Sequence, residues 1–204
     1  AQTVTCSKHL ITLKSGFKIL LDCGMFQGMG RETQVMNSTL GFEAASVDIL
    51  VLSHAHIDHS GLIPKLYKDG FRGKIFATPA TKDLAAVLLE DSAVIQRDDT
   101  KFINKRRAKQ GLPPFEALYD LEDAAEALTL FEVATYDKWT SIAPGVELLF
   151  TDAGHIIGSA AVNLTIKENK ETKVLESWHY TWNDTSNGGF SLLGEIFTKQ
   201  GAEI

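Results

Sequence analysis

Cysteine is scarce in this chain: Cys6 and Cys23 are the only two, and they do not form a Cys-x-x-Cys pair. That argues against a disulfide framework and against the thiolate-rich closed sites that usually hold structural zinc. Long apolar runs are absent as well. No stretch reaches the ~18 residues of a membrane-spanning helix, and no basic start followed by an apolar segment marks a secretory signal, so a cytoplasmic protein with no membrane association is expected. Positive charge is in deficit, with 20 Lys and Arg against 26 Asp and Glu and a net charge of -6. Bulk charge therefore does not drive adhesion to nucleic acid, although a cationic metal centre can still hold a phosphate locally. With 44% hydrophobic and 23% charged residues over 204 positions, the composition suits a soluble fold of one large domain, or one and a part.

Histidine is where the chain concentrates its chemistry. The stretch Ser53-His54-Ala55-His56-Ile57-Asp58-His59-Ser60-Gly61 follows the apolar run Ile49-Leu50-Val51-Leu52, which reads as a buried strand, and precedes Leu62 to Tyr67, which reads as a short helix. In extended backbone His54 and His56 project to one side and can grip one ion, while Asp58 and His59 lie past the turn and face a second. Imidazoles with an added carboxylate suit zinc, iron or manganese in a hydrolytic or redox-capable site.

The rest of the chain reads as β-rich ends around a helical middle. A hairpin turning near Lys14 to Gly16 joins a strand ending at Leu13 to a strand over Phe17 to Gly24. Asp22 closes the second strand, either as a turn cap or as a carboxylate that orients a metal-bound histidine. Residues 27 to 42 are polar and glycine-punctuated. Lys74 to Thr78 is the next strand, and Thr78-Pro79 opens a helix expected to run to about Asp98. Lys101, Lys105, Arg106, Arg107 and Lys109 form the one basic cluster, read as a solvated helix face or as a phosphate-contacting rim. A second helix is expected over Leu121 to Phe131 with Asp120 as its N-cap. Strands over Glu132 to Tyr136, Val146 to Thr151 and Ala160 to Lys167 follow, with a turn at Pro144-Gly145. Between the last two strands lies Asp152-Ala153-Gly154-His155-Ile156-Ile157-Gly158-Ser159, a glycine-flanked loop whose histidine is a candidate to complete the metal site.

His54-x-His56-x-Asp58-His59, Asp22-Cys23-Gly24 and Ala153-Gly154-His155-x-x-Gly158-Ser159 together resemble the metallo-β-lactamase fold superfamily. The wording around His155, with Val4-Thr5-Cys6-Ser7 and Asp22-Cys23-Gly24-Met25-Phe26-Gln27-Gly28, is similar to the β-CASP branch of RNA-processing metallo-hydrolases. The resemblance implies an α/β fold, an αββα sandwich with its metal centre at the edge between the sheets. It implies that His54, His56 and His155 hold one ion, that Asp58 and His59 hold part of another and serve catalysis, and that Asp22 supports a ligand histidine. Zinc is the implied metal, one or two ions, with manganese or iron as substitutes. The implied reaction is hydrolysis of RNA phosphodiester bonds by a metal-bound hydroxide; a lactam, lactone or thioester hydrolase of the same fold is the alternative, and a metal-binding domain without turnover is a third reading.

The sequence also departs from the family. The Gly-Asp segment that normally carries a bridging aspartate after the strand near Lys173 is replaced by Val174-Leu175-Glu176-Ser177-Trp178-His179, and Cys6 stands where the family tends to have glycine. The expected organisation is a metallo-β-lactamase-like domain over 1–175, apparently its N-terminal half, with a mostly helical excursion over 79–131 and an atypical tail over 176–204. His179 and Asp184 are candidates there to replace the missing ligand, on residue type alone. A homo-oligomer or a partner chain completing the sandwich is the matching expectation for assembly.

Overall fold

Ile19-Leu20-Leu21 and Ile49-Leu50-Val51 are buried on both faces, as central strands flanked by two layers must be. The computed structural model describes residues 6–28, 31–168, 171–177 and 199–200. Val4 and Thr5 of the opening motif, and His179 and Asp184 of the tail, lie outside them.

The first sheet runs in the order β1 (His9–Thr12), β2 (Lys18–Leu21), β3 (Ile49–Val51), β4 (Lys74–Ala77), β5 (Phe131–Val133). The hairpin pair β1 and β2 is antiparallel, and β2 through β5 are parallel. The second sheet is antiparallel: β6 (Thr140–Ala143), β7 (Val146–Asp152), β8 (Ala160–Glu168), β9 (Glu171–Ser177) and the two-residue β10 (Lys199–Gln200).

Alternation divides the core in two. Ile19, Leu21, Ile49, Val51 and Phe76 point from the first sheet toward Val146, Leu148, Phe150, Val162, Leu164 and Ile166 of the second. Leu20, Leu50, Leu52, Ile75 and Ala77 point the other way, onto helices. Those helices are α1 (Arg31–Ser38), the single turn α2 (Ile57–Ser60), α3 (Ile63–Lys68), α4 (Pro79–Lys109) and α5 (Leu121–Leu128). The described residues therefore build three layers, αββ, of the expected four. On the other side of the second sheet Glu147, Thr151, Asn163, Thr165 and Lys167 alternate with the buried set, and Lys167 pairs with Glu147 at 3.3 Å.

Several elements differ from their sequence reading. α4 runs eleven residues past Asp98, to Lys109, because nothing in the basic segment breaks a helix before Gly111. Gly111, at φ +63, then closes it in a Schellman arrangement, with Leu112 N donating to Arg107 O at 3.0 Å and Gly111 N to Ala108 O at 3.2 Å. α5 stops at Leu128, and Phe131 opens β5 instead of ending the helix. Its start is as read, with Asp120 and Asp123 forming a reciprocal capping box. α1 and β6 had no counterpart in the sequence reading, and Asp58 and His59 sit on the helical turn α2 rather than on open loop.

Candidate metal centre

Parallel strands deliver their carboxyl ends to one edge, and the site is assembled there. Asp22 follows β2, the histidine stretch follows β3, and Thr78 follows β4. The loop between β7 and β8 reaches the same edge from the second sheet, where Ala160 N donates to Ser53 O at 2.9 Å.

The segment after β2 holds the ligand stretch by its backbone. Cys23 N donates to His59 O at 2.7 Å, Met25 N to Ile57 O at 3.0 Å, and Leu62 N to Cys23 O at 2.9 Å. This approach demands glycine at position 24, since a Cβ there would lie 1.6 Å from Asp58 O. Cys6, at φ +82, adopts the left-handed backbone that glycine favours, so the departure from the family at this position lies in the side chain and not in the chain path. Its thiol donates to Gly24 O at 3.1 Å.

The loop bearing His155 is anchored to the start of α4. Thr78 Oγ1 and Thr81 Oγ1 donate to Gly158 O at 2.6 and 2.7 Å, while Thr78 Oγ1 also accepts from Thr81 N at 3.3 Å as the helix N-cap. Ser159 Oγ accepts from the amides of His155 and Ile156 at 3.1 and 3.2 Å, and Tyr136 donates to Ser159 O at 2.8 Å. Gly158 has φ +82, and a Cβ there would come within 2.4 Å of Thr81 N.

Three imidazoles converge as a result. His56 Nδ1 lies 3.1 Å from His54 Nε2 and 3.2 Å from His155 Nε2. The three nitrogens lie within 4.8 Å of one another. The donor set fits a metal ion. A tetrahedral centre with metal–nitrogen bonds of ~2.0–2.1 Å holds its nitrogens roughly 3.3–3.4 Å apart, close to two of these separations. A single proton on His56 Nδ1 cannot serve both neighbouring nitrogens well, whereas one cation between them satisfies all three. Ser53 Oγ, 3.1 Å from His54 Nδ1, fixes the other side of that ring.

Asp58 and His59 form a second, smaller group beside the first. The His59 ring centroid is 4.0 Å from that of His54, and His59 Nε2 is 3.9 Å from Asp58 Oδ2. No third ligand joins this pair into a second cluster among the described residues. Asp22 stands behind His59. Its Oδ2 lies 2.7 Å from His59 Nδ1 and accepts from Ser53 Oγ at 3.0 Å and Ser7 Oγ at 3.2 Å, while its Oδ1 accepts from Ser53 N at 2.8 Å. Asp22, at φ +57, thus bonds both the His59 ring and the Ser53 amide.

Burial lowers the His59 pKa, but the charge and hydrogen bond of Asp22, helped by Asp58, outweigh it and leave the pKa raised. His155 is shifted the other way, first by burial and then by the His56 and His59 imidazoles, which keeps it in the neutral form that a metal requires. Sequence reasoning did not find Ser53, Thr78, Thr81, Tyr136 or Ser159 as supports of the site. Of these, Thr78 carried a signal as the N-cap of a helix start, and Ser53 and Ser159 stood inside the quoted motifs without a role.

Comparison with known proteins follows the same lines. Residues 5–71 match the family described as the metallo-beta-lactamase superfamily. The chain is 38% identical over 162 residues to Ribonuclease TTHA0252 of Thermus thermophilus, covering 79% of this chain and 32% of that protein. It is 33% identical over 144 residues to Transcription termination factor FttA of Methanosarcina mazei, covering 70% of this chain and 20% of that protein. The chain thus spans a third or less of the length of these curated relatives. Among solved structures, a metallo-beta-lactamase from Cronobacter sakazakii with a mutated HARLDQ motif superposes at a TM-score of 0.50 and 20% identity, over 86% of this chain and 57% of that one. That likeness is one of fold.

Proposed function

The chain belongs to the metallo-β-lactamase superfamily, and from that premise we propose that it is a metal-dependent hydrolase of RNA phosphodiester bonds. The observation that carries this reading is the convergence of His54 Nε2, His56 Nδ1 and His155 Nε2 on one point, from two loops 99 residues apart. These three would hold the first ion, for which zinc suits an all-imidazole set best. Asp58 and His59 would supply two donors toward a second. A bound ion would provide Lewis acidity and an activated water at neutral pH.

The protein's own groups do the rest. Asp22 fixes the ring of His59 so that Nε2 faces the side of Asp58. The Asp58 side chain is 35% exposed and so open to solvent, where it would orient an attacking water and take up its proton. The hydroxyls of Thr78 and Thr81 keep His155 in register with His56. RNA as substrate draws support from the printed names of the curated relatives, a ribonuclease and a transcription termination factor.

The test is metal content per chain in the purified protein and in a His155→Ala variant, followed by an assay of RNA cleavage. At least one equivalent of metal, lost in the variant along with cleavage, is expected. A chain that binds no metal overturns the enzyme reading. Nitrocefin turnover without RNA cleavage would move the substrate to the lactam class.

A further inference from the structure

The metal centre does not account for the far end of α4. The protein carries a net charge of -6, yet Lys101, Lys105, Arg106, Arg107 and Lys109 fall within nine residues that contain no acid. The structure sorts these five. Lys101 is taken up by Asp98 at 3.2 Å, and Arg107 turns to the opposite side, where its Nε donates to Pro113 O at 2.6 Å. Lys105, Arg106 and Lys109 are exposed and make no ion pair among the described residues. With Phe102 they occupy positions i, i+3, i+4 and i+7, which is one face of a helix.

Phe102 is 65% exposed, an aromatic ring in water at the N-terminal end of the cationic stripe, one turn beyond Asp98 and Asp99. Compensation of the helix dipole explains one or two cations in the last turn and does not explain the ring. The helix that carries the stripe is also anchored from behind. The returning segment is bound to the other side of α4, where Asn104 exchanges hydrogen bonds with Phe115 at 2.7 and 3.0 Å and Gln96 accepts from Leu118 N at 3.2 Å. The Schellman closure at Gly111 satisfies the carbonyls of its last turn.

We propose that Phe102, Lys105, Arg106 and Lys109 form a docking stripe for single-stranded RNA, the three cations holding consecutive phosphates and the ring stacking on a base. Cations tracking a backbone beside an exposed aromatic platform are the chemistry that binds single strands without sequence preference. The inference rests on the RNA reading of the metal centre and extends it. α4 begins at the His155 loop, and Lys105 lies 24 residues beyond Thr81, or roughly 36 Å along the axis. The stripe is thus a second contact, away from the scissile bond, that selects long substrates over short ones.

The experiment is a titration of a fluorescent unstructured RNA of about 20 nucleotides, longer than that path when extended, across a series of salt concentrations. Intact protein is compared with a Lys105→Gln/Arg106→Gln/Lys109→Gln variant and with Phe102→Ala. The triple variant is expected to bind at least about tenfold more weakly, with the salt slope reduced by about 2, near 0.7 per lost phosphate contact for a single strand. Phe102→Ala should lose about tenfold while keeping its salt slope. All four positions are exposed, so thermal unfolding and metal content should match the parent. Unchanged affinity and slope in the triple variant overturn the stripe, whatever the metal centre does. RNA binding with the expected losses but no cleavage by the parent supports the stripe and sinks the hydrolase reading instead. Equal affinity for poly-glutamate and for RNA in the parent overturns the RNA assignment in favour of an acidic protein partner.

Discussion

Asp22 carries more hydrogen bonds than any other carboxylate at the site, and its replacement separates two effects. Asp22→Ala leaves the buried Ser53 amide without its acceptor, so a loss of about 2–3 kcal/mol is expected in denaturant unfolding of the metal-free protein. Asp22→Asn keeps the shape and one acceptor but removes the charge that polarises His59. Its main effect should be a 10–100-fold loss of metal affinity or hydrolysis with a smaller loss of stability, read by metal titration beside unfolding. If both variants lose equally in both measurements, Asp22 is only a turn cap. Gly158 gives a second contrast. A Gly158→Ala side chain would meet Thr81 N at 2.4 Å in addition to its positive φ, whereas Gly28→Ala meets nothing within 4 Å. The expected costs are about 3 kcal/mol or more at Gly158 and about 1 kcal/mol at Gly28, measured as the difference in unfolding free energy.

Among elements, α4 does the most to position the site, because its first turn grips the His155 loop. Thr78→Val removes both the cap and the bond to Gly158 O. A loss of about 1–2 kcal/mol is expected, together with weaker metal binding, since one of the two threonine bonds that hold the His155 loop is gone. Unchanged metal affinity in that variant would mean that Thr81, Ser159 and Tyr136 suffice to hold the loop.

The start of α4 was legible from Thr78-Pro79, but its end was not. Past Ile95 the apolar repeat thins out, and the helix continues on the propensity of Lys, Arg and Ala and on contacts with residues 115 and 118 that no local pattern reveals. β2 and β3 were legible because strands buried on both faces need unbroken apolar runs. α1 was not, because Arg31-Glu32-Thr33-Gln34 has no apolar face to display; α2 was not, because one turn is shorter than any periodicity. At the site, the spacing of His54 and His56 carried its own meaning, and the loop glycines with the resemblance singled out His155. The Ser53, Thr81 and Ser159 hydroxyls, by contrast, become visible as supports only once the two loops are brought together.

For the whole molecule, a metal held by His54, His56 and His155 should report on folding, because these three come from both sheets. Removal of metal with a chelator is expected to lower the melting temperature, and added metal to raise it with concentration, as for any ligand that binds only the native state. The inter-sheet core sets the size of that response. Phe150→Ala, at a fully buried ring between the sheets, should cost about 3–5 kcal/mol and loosen the apposition of the His155 loop with it. A Phe150→Ala protein that melts like the parent would mean that the two sheets are held by something other than this core.

The span of 99 residues between His56 and His155 has a consequence for how the protein is made. At synthesis rates of about 5–20 residues per second, roughly 5–20 s separate the appearance of the two histidines at the ribosome. During that interval β2, β3 and the zipped segments around Cys23 and Ile57 are already available to pair, and they present His54 and His56 as an open two-nitrogen claw. The third nitrogen arrives only with the second sheet. An ion held by all three nitrogens would therefore be captured late in the life of the nascent chain, as a latch closed after the halves have met.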